Sequence, residues 1–323
     1  MMSVRPFDWR DLPALNRYRH QSVFLNSELV LTRGPLVLPG ALLSFLAPGV
    51  GLITGVINGE AGHPPLIGQA IHSQGSQFAH LTFLAPDIAL ESPALSALFD
   101  YLVSLAGERG AMRLMADVDD RSPAFEALRQ ASFAIYTRQR IWQLVNPLKQ
   151  EKKTSGWRPA SERDGPAIRS LYTNIVPGLV QQVEPYGLNK PRGMILQQGK
   201  DILAYVELKY GYFGIWAQPF VHPDVEEIAK RLEEFLSELP IRRSRPLYVC
   251  VRSYQSWLEP AIEDLGAEPG PRQAVMVKHL AVAQKAARTF ALPALEGGSP
   301  EISAPAIRME KNQISYGTEK NHG

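Results

Sequence analysis

The chain repeats part of itself, and this internal repeat constrains its fold more than any other feature of the sequence. Ten residues near the start return after a constant offset of 153 positions, with six identities among the ten. Two further anchors return in the same order, at offsets of 137 and 134. The paired segments are 5–14 with 158–167, 83–87 with 220–224, and 138–139 with 272–273. We therefore predict two copies of one domain rather than two unrelated domains.

The length of the chain agrees with this prediction, because 323 residues accommodate two domains of roughly 150 residues each. We predict an N-terminal domain over 1–145 and a C-terminal domain over 157–284. Residues 146–156 are rich in lysine and poor in apolar side chains, which is typical of a solvated linker. Residues 285–323 are rich in proline, glycine, serine and charge, so we predict a disordered tail there.

Charge and cysteine content restrict the partners and the compartment. Thirty-four basic against thirty-two acidic residues leave a net charge of +2, so we expect neither nucleic acid nor a membrane as a partner. The single cysteine, Cys250, lies between two valines and predicts a buried strand position, in keeping with a reducing compartment. The first ten residues lack the basic and then apolar pattern of a signal peptide. We therefore expect a cytoplasmic protein.

One uncharged segment, 34–59, is long enough for a membrane helix. Its three prolines and several glycines would break such a helix. We predict instead a short buried helix over 41–46, a turn, and a strand over 52–57.

Each half shows the same alternation of strand and helix patterns. Short apolar runs predict strands, and apolar residues at i, i+3, i+4 and i+7 predict helices. Asp11 and Asp164 are expected to cap the first helix of each half, with Pro13 and Pro166 in its first turn. The predicted strands are near Val4 and at 52–57, 66–72, 78–84, 114–118 and 138–144, then near Trp157 and at 193–197, 202–208, 212–220, 247–251 and 273–279. The order in each half is β-α-β-β-β-α-β-α-β, an α/β (α+β) fold.

This order, found twice, resembles the GNAT superfamily of acetyl-CoA-dependent N-acyltransferases. The resemblance covers 3–145 and 156–281, and rests on the opening VRPFDWRDLPAL, the turns at 84–86 and 221–223, and the closing ALRQASFAIYTRQRIWQL. It implies, for each half, a mixed and mostly antiparallel twisted sheet of six or seven strands flanked by about four helices. It also implies transfer of an acyl group from acetyl-CoA or another acyl-CoA to a primary amine.

Members of the family hold the coenzyme pyrophosphate in a glycine-containing loop, [RQ]-x-x-G-x-[GA], at the start of a helix, where backbone N–H groups reach the phosphates. The equivalent segments, 90–95 and 223–228, contain no glycine and carry carboxylates, so we interpret both coenzyme-binding loops as degenerate. By family position, the resemblance implies coenzyme contacts at Phe83, Leu84, Ser92, Ala94, Phe220, Val221 and Ile228.

Many members of the family also place a tyrosine in the last helix as a general acid, and the equivalent positions here are the apolar Leu128 and Ile262. Two other residues could act as a general base: His80, on the fourth strand of the first half, and Glu207, on the third strand of the second. The alternative for each is an ordinary solvated strand position. No histidine and cysteine cluster has the spacing of metal ligands.

Two functions remain open. The first is a GNAT-type N-acyltransferase that uses an acyl-CoA and a small-molecule amine as acceptor. The second is a catalytically silent tandem module that binds a ligand or a partner. In both, we expect the two halves to pack on each other like the subunits of a dimer. Large side chains between the fourth and fifth strands would mark a silent half, and an open cleft would mark a catalytic one.

Overall fold

A computed structural model of the chain describes residues 4–47, 49, 51–59, 64–144, 156–187, 190–199, 201–239 and 245–280. All of these residues lie in one compact unit. The strands are β1 (Val4–Pro6), β2 (Val23–Phe24), β3 (Leu52–Ile57), β4 (Leu66–His72), β5 (Phe78–Ala85), β6 (Arg113–Asp119), β7 (Ala134–Leu144), β8 (Trp157–Pro159), β9 (Gly193–Gln198), β10 (Asp201–Tyr210), β11 (Ile215–Val221), β12 (Leu247–Arg252) and β13 (Glu268–His279).

The α-helices are α1 (Leu12–Tyr18), α2 (Ser27–Arg33), α3 (Val37–Leu46), α4 (Ala94–Glu108), α5 (Pro123–Gln130), α6 (Gly165–Ile175), α7 (Gly178–Val183), α8 (Ile228–Glu238) and α9 (Glu259–Asp264). The predicted α/β class is confirmed. The predicted tail over 285–323 lies outside the described residues, as does the predicted linker over 146–156 except for Gly156. The domain bounds that depend on them stay predictions.

The strands form one sheet in the order β1-β3-β4-β5-β6-β13-β7-β12-β11-β10-β9-β8, with β2 paired to β5 off this path. Among the described strands, β5 with β6 and β11 with β12 pair in parallel, and the other neighbours pair antiparallel. This is the mixed, mostly antiparallel sheet that the sequence predicts.

The last strand of each half lies in a place that the sequence analysis did not predict. We expected each of these strands to complete the sheet of its own half. Instead β7 pairs with β12 of the second half, with Leu144 opposite Leu247. The last strand of the second half, β13, pairs with β6 of the first half, with Gln273 opposite Asp119. Because β7 and β13 also pair with each other, the two halves share one continuous sheet.

Helices cover both faces of this sheet. On the rear face, α4 and α5 pack on the first half, and α8 and α9 pack on the second. On the opposite face, which we call the front face, α1 and α3 pack on the first half, and α6 and α7 pack on the second. The exchanged strands complete the rear cores: Met276 of β13 belongs to the core of the first half, and Trp142 of β7 to that of the second. Leu128 and Ile262 are buried in these cores, 0% and 2% exposed, as their apolar character predicts.

The identities in the first repeat anchor have a structural cause. Arg5 binds both carboxylate oxygens of Asp11, at 2.5 and 2.7 Å, and Arg158 binds those of Asp164 at 2.7 and 2.9 Å. The Asp164 carboxylate also accepts the backbone N–H of Ser161. The prediction that these aspartates cap the following helices is wrong, because neither side chain makes a capping bond to α1 or α6. Each carboxylate instead accepts a backbone N–H at the start of the preceding 3-10 turn and binds the arginine of the first strand.

This ion pair predicts a pH dependence of stability. The Arg158 guanidinium lowers the pKa of Asp164 below its usual range, so its contribution is complete above the unfolded-state pKa of about 3.9 and is lost as the pH falls towards the folded-state pKa. We expect Asp164→Asn to cost about 1–2 kcal/mol at neutral pH, since the partly exposed Arg158 is screened by solvent. In urea titrations from neutral to acidic pH, the variant should lose less stability than the wild type. The control Asp224→Asn, at a side chain that is 82% exposed, should keep the wild-type profile; a profile unchanged in Asp164→Asn would contradict the prediction.

The predicted buried helix over 41–46 is the end of α3, which begins at Val37. The prediction of burial is wrong for its last turn, where Leu46 is 71% exposed. No single described helix is long and apolar enough to cross a membrane, and α2 with α3 meets those criteria only as a pair bent by 101°.

Candidate functional site

Two wedge-shaped gaps open in the sheet, one in each half. The parallel pairing of β5 with β6 ends after His80 opposite Met115, although both strands continue. The pairing of β11 with β12 ends in the same way, after Ala217 opposite Val249. We call the gap between β5 and β6 the first wedge and the gap between β11 and β12 the second wedge. They are the clefts in which the resemblance places the coenzyme.

The first wedge is filled by the chain itself. Strand β2 pairs with β5 on the side that faces β6, with Phe24 opposite Phe83. Beyond it, the Leu25 N–H donates to the Thr82 carbonyl at 3.0 Å, and the Leu25 carbonyl accepts the Asp117 N–H of β6 at 2.9 Å. The Leu25 side chain is 0% exposed. The segment 23–25 therefore bridges the two strands, in the way that an added strand would.

This occupant affects the residues predicted to contact coenzyme in the first half. Phe83 and Leu84 are paired with Phe24 and Val23. At the start of α4, Ser92 satisfies the backbone donors itself. Its hydroxyl accepts the N–H of Ala94 at 3.2 Å, and its carbonyl accepts that of Leu95 at 3.0 Å. These N–H groups are thus already paired within the chain.

No segment of the described residues pairs into the second wedge in this way, and the local connection there is shorter. Five residues, 22–26, separate the 3-10 turn after α1 from α2, whereas only Val176 and Pro177 separate α6 from α7. The second wedge opens instead into a cavity of about 250 Å³. The cavity is lined by Asn174, Ile175, Val221, His222, Pro223, Tyr254, Gln255 and Trp257.

Of the three predicted coenzyme contacts of the second half, one lines this cavity and the other two pack in the cores on either face of the sheet. Val221 lines it, and its carbonyl accepts a hydrogen bond from the Gln255 side chain at 2.8 Å. Phe220 lies on the front face, 6% exposed, and stacks on Tyr205 at 6.1 Å between ring centroids. Ile228, the first residue of α8, packs against the rear core. The turn before α8 is acidic, and Glu227 there pairs with Lys230 at 2.8 Å.

Of the two candidate bases, His80 lies at the closed wedge. It alternates with Ala79 and Leu81 of the rear core, so it is on the front face. Burial raises the pKa of the nearby Asp117, against the opposing effects of the Ser27 N–H and of the positive charges of His80 and Arg252. Beyond His80, the backbone of Leu25 bridges β5 and β6, so the strands do not open there.

Glu207 lies beside the open wedge. It is opposite Gln218 of β11, one residue beyond Ala217, where the second wedge begins. Its side chain is 35% exposed, and its nearest cation is Lys209, whose Nζ lies 4.0 Å away. Burial raises the pKa of Glu207, the carboxylates of Glu28 and Glu184 raise it further, and Lys209 lowers it. A carboxylate whose pKa is raised is a stronger proton acceptor than an ordinary glutamate.

A further acidic residue of the site, Glu184, could not be recognised from the sequence. Its carboxylate accepts a hydrogen bond from the Tyr136 hydroxyl at 2.5 Å and pairs with Arg252 at 3.0 and 3.2 Å. Burial and this carboxylate together raise the pKa of Tyr136 well above its usual value. Tyr136 comes from the exchanged strand β7, so both halves build this cluster. The two partners of Glu184 are 48 and 68 residues away from it in the sequence. No local pattern could therefore have revealed the cluster.

Cys250 is fully buried beside Gln139, and burial raises the pKa of its thiol to about 12, so it is not a reactive nucleophile. Within the described ranges, no group of three or more histidine, cysteine, aspartate or glutamate side chains could hold a metal ion.

No family model and no curated protein matches the sequence. Three solved structures follow a similar course over most of the chain. A GCN5-related N-acetyltransferase from Sphaerobacter thermophilus is 13% identical, with a TM-score of 0.49 over 86% of this chain and 96% of that one. A tandem GNAT protein from the clavulanic acid biosynthesis pathway is 13% identical, with a TM-score of 0.46 over 87% and 99%. A putative acetyltransferase from Pyrococcus horikoshii is 10% identical, with a TM-score of 0.48 over 87% and 90%.

The strand order itself carries the fold assignment. Each half places three antiparallel neighbours beside a fourth strand, which pairs in parallel with the fifth over three residues and then diverges from it. The first and second halves repeat this arrangement in the same chain order. The chain has the fold of the GNAT superfamily in two tandem copies, joined in one sheet by exchange of their last strands.

Proposed function

We propose that the protein is an acyl-CoA-dependent N-acyltransferase in which only the second half holds the coenzyme. The observation that carries this proposal is the contrast between the two wedges. Leu25 and its neighbours fill the first, while the second opens into a cavity of about 250 Å³. The first half then serves as a scaffold, contributing β7 and α2 to the environment of the site in the second half.

The residues present fit an acyl-CoA in part. Along β11, backbone groups of alternate residues point into the wedge, among them the carbonyl of Val221 that now accepts from Gln255. A pantetheine arm carries amide groups that could pair there once the Gln255 side chain turns away. The acidic turn before α8 offers no glycine loop for the pyrophosphate, so the phosphates would remain nearer to solvent.

Glu207 supplies the chemistry that the chain itself contributes. An acyl-CoA provides a thioester, whose carbonyl carbon is attacked by the amine nitrogen of the acceptor. The new amide bond forms as the carbon–sulfur bond breaks, and Glu207 takes the proton released by the amine. That proton then passes to the departing thiolate, so the coenzyme leaves as the thiol and Glu207 returns to its carboxylate form. The position of Glu207, one residue past the start of the second wedge, and its raised pKa support this role.

A silent binding module is the second candidate, and one contact favours it. Gln255 is 2% exposed, and its amide already satisfies the Val221 carbonyl in the second wedge. If this contact persists, the cavity would bind a smaller ligand without acyl transfer.

Calorimetric titration with acetyl-CoA tests the proposal. We expect one site per chain, and we expect Asn174→Trp to weaken binding at least about tenfold, because an indole at the exposed rim would fill the cavity. The matched control is Gln21→Trp, at the exposed position 153 residues earlier in the repeat, which should bind as the wild type does. No binding at millimolar acetyl-CoA would overturn the proposal in favour of the silent module. Two sites per chain, or an equal loss in Gln21→Trp, would overturn the assignment to the second half.

A further inference from the structure

Helix α2 of the first half is fixed against the second half at its C-terminal end. The Phe213 N–H, in the hairpin between β10 and β11, donates to the Thr32 carbonyl at 2.9 Å. The hairpin approaches so closely that a Cβ on Gly211 would lie 2.1 Å from that carbonyl oxygen, so only glycine fits there. The buried Thr32 hydroxyl in turn donates to the Glu28 carbonyl at 2.7 Å. These contacts fix the position of α2, and with it the position of Glu28, relative to the hairpin.

The N-terminal end of α2 is fixed to the middle of the sheet. The Ser27 N–H donates to the Asp117 carboxylate at 2.8 Å, and the Ser27 hydroxyl donates to Gln273 of the exchanged strand β13 at 3.1 Å. Asn26 caps the helix by accepting the N–H of Leu29 at 3.0 Å. With both ends attached, α2 presents Glu28 in a defined place beside β10.

Glu28 holds the cation that would otherwise pair with Glu207. Lys209 and Glu207 are two residues apart on β10, so their side chains share the front face. The Lys209 Nζ lies 2.8 Å from Glu28 Oε2 but 4.0 Å from Glu207 Oε2. The lysine is therefore bound most closely to the helix of the first half, and Glu207 keeps only the longer contact with it.

We propose that Glu28 is a positioning residue for Glu207: by binding Lys209 across the two halves, it holds the lysine away from Glu207 and leaves that carboxylate open to the amine of an acceptor. This inference rests on the proposed function, in which Glu207 takes the proton of the amine. It gives the first half a role in the chemistry beyond that of a scaffold.

Other charged and titratable groups surround Glu207. Glu184 follows α7, and Arg192 precedes β9; they raise and lower the pKa of Glu207, respectively. The Tyr172, Tyr186 and Tyr205 hydroxyls are close enough for Glu207 to raise their pKa values. None of these groups is bound to Lys209 by a hydrogen bond in the described part of the chain, so loss of Glu28 releases the lysine towards Glu207.

A double-mutant cycle read out by NMR tests the proposal. The pKa of Glu207 is measured in ¹³C-glutamate-labelled protein, with its signal assigned by Glu207→Gln, for the wild type, Glu28→Gln, Lys209→Met and the double variant. We expect Glu28→Gln to lower the pKa of Glu207, because a negative charge is lost and Lys209 moves closer. In the Lys209→Met background the same change should lower it less, because only the charge effect remains. Glu28→Asp, which keeps the charge, should recover most of the wild-type value.

The outcomes separate this inference from the proposed function. An equal fall in both backgrounds would show that Glu28 acts through its charge alone and would overturn the positioning role. The cycle needs neither acetyl-CoA nor activity. Coupling without acetyl-CoA binding would therefore leave the positioning of Glu207 intact and refute only acyl transfer. Glu28 and Lys209 are 38% and 43% exposed, so the variants are expected to fold, and a thermal melt of each checks this.

Discussion

Trp142→Ala is expected to lower the free energy of unfolding by about 3–5 kcal/mol, the range for removing a large buried aromatic side chain. Trp142 is 2% exposed. It belongs to β7 of the first half, yet it packs in the rear core of the second half. Because β7 and β13 are exchanged, we expect the described unit to unfold in one transition, whose midpoint the substitution lowers as a whole. Urea denaturation and calorimetry measure both quantities.

Two controls make this prediction specific. Trp142→Phe keeps most of the buried area and should cost clearly less than the alanine variant. Trp9→Ala removes an indole that is 59% exposed and should change stability by about 1 kcal/mol or less. Two separate transitions, with only the first displaced by Trp142→Ala, would contradict the shared core.

Leu25→Ala should cost about 2–5 kcal/mol, although Leu25 lies in an irregular segment between two helices. Loops are ordinarily exposed and tolerant of substitution. Here the side chain is 0% exposed and packs in the rear core of the first half, between strands that have separated from each other. Loss of the isopropyl group leaves a cavity that the paired strands on either side cannot close.

The neighbouring Phe24 provides the control for this substitution. It is in the same segment and larger, but it is 36% exposed, so Phe24→Ala should cost less than Leu25→Ala. Urea denaturation of the two variants side by side gives the comparison. A greater loss for Phe24→Ala would mean that the segment lies on the surface of the first wedge and does not fill it.

Local patterns predicted the elements well where neighbours in sequence decide the structure. The predicted strands 52–57 and 66–72 coincide with β3 and β4. The apolar stripe of α4, which includes Leu98 and Leu102, is fully buried as its spacing predicts. In these elements the side-chain period and the burial follow from the same backbone geometry.

The candidate site was predictable only in part. Glu207 was identified as a carboxylate among aromatic residues, and it lies beside the open wedge. The sequence also indicated His80, on the fourth strand of the first half, as a possible base. Nothing in the local pattern of residues 22–26 shows that this segment turns back between β5 and β6. Its contacts with Thr82 and Asp117 are 57 and 92 residues away, and they form only in the folded chain.

The sequence by itself determined a doubled fold, because repeated anchors in constant order encode the same helices and strands twice. It also determined which faces of those elements are buried, since the spacing of apolar side chains along a helix or strand predicts its buried face. Only the tertiary structure decided which half receives each last strand. An antiparallel edge of either half accepts β7 or β13 with the same backbone hydrogen bonds, so local sequence does not distinguish the two pairings. The tertiary structure likewise decided which wedge is open. The five residues 22–26 are long enough to enter the first wedge, whereas the two residues between α6 and α7 are too few to enter the second.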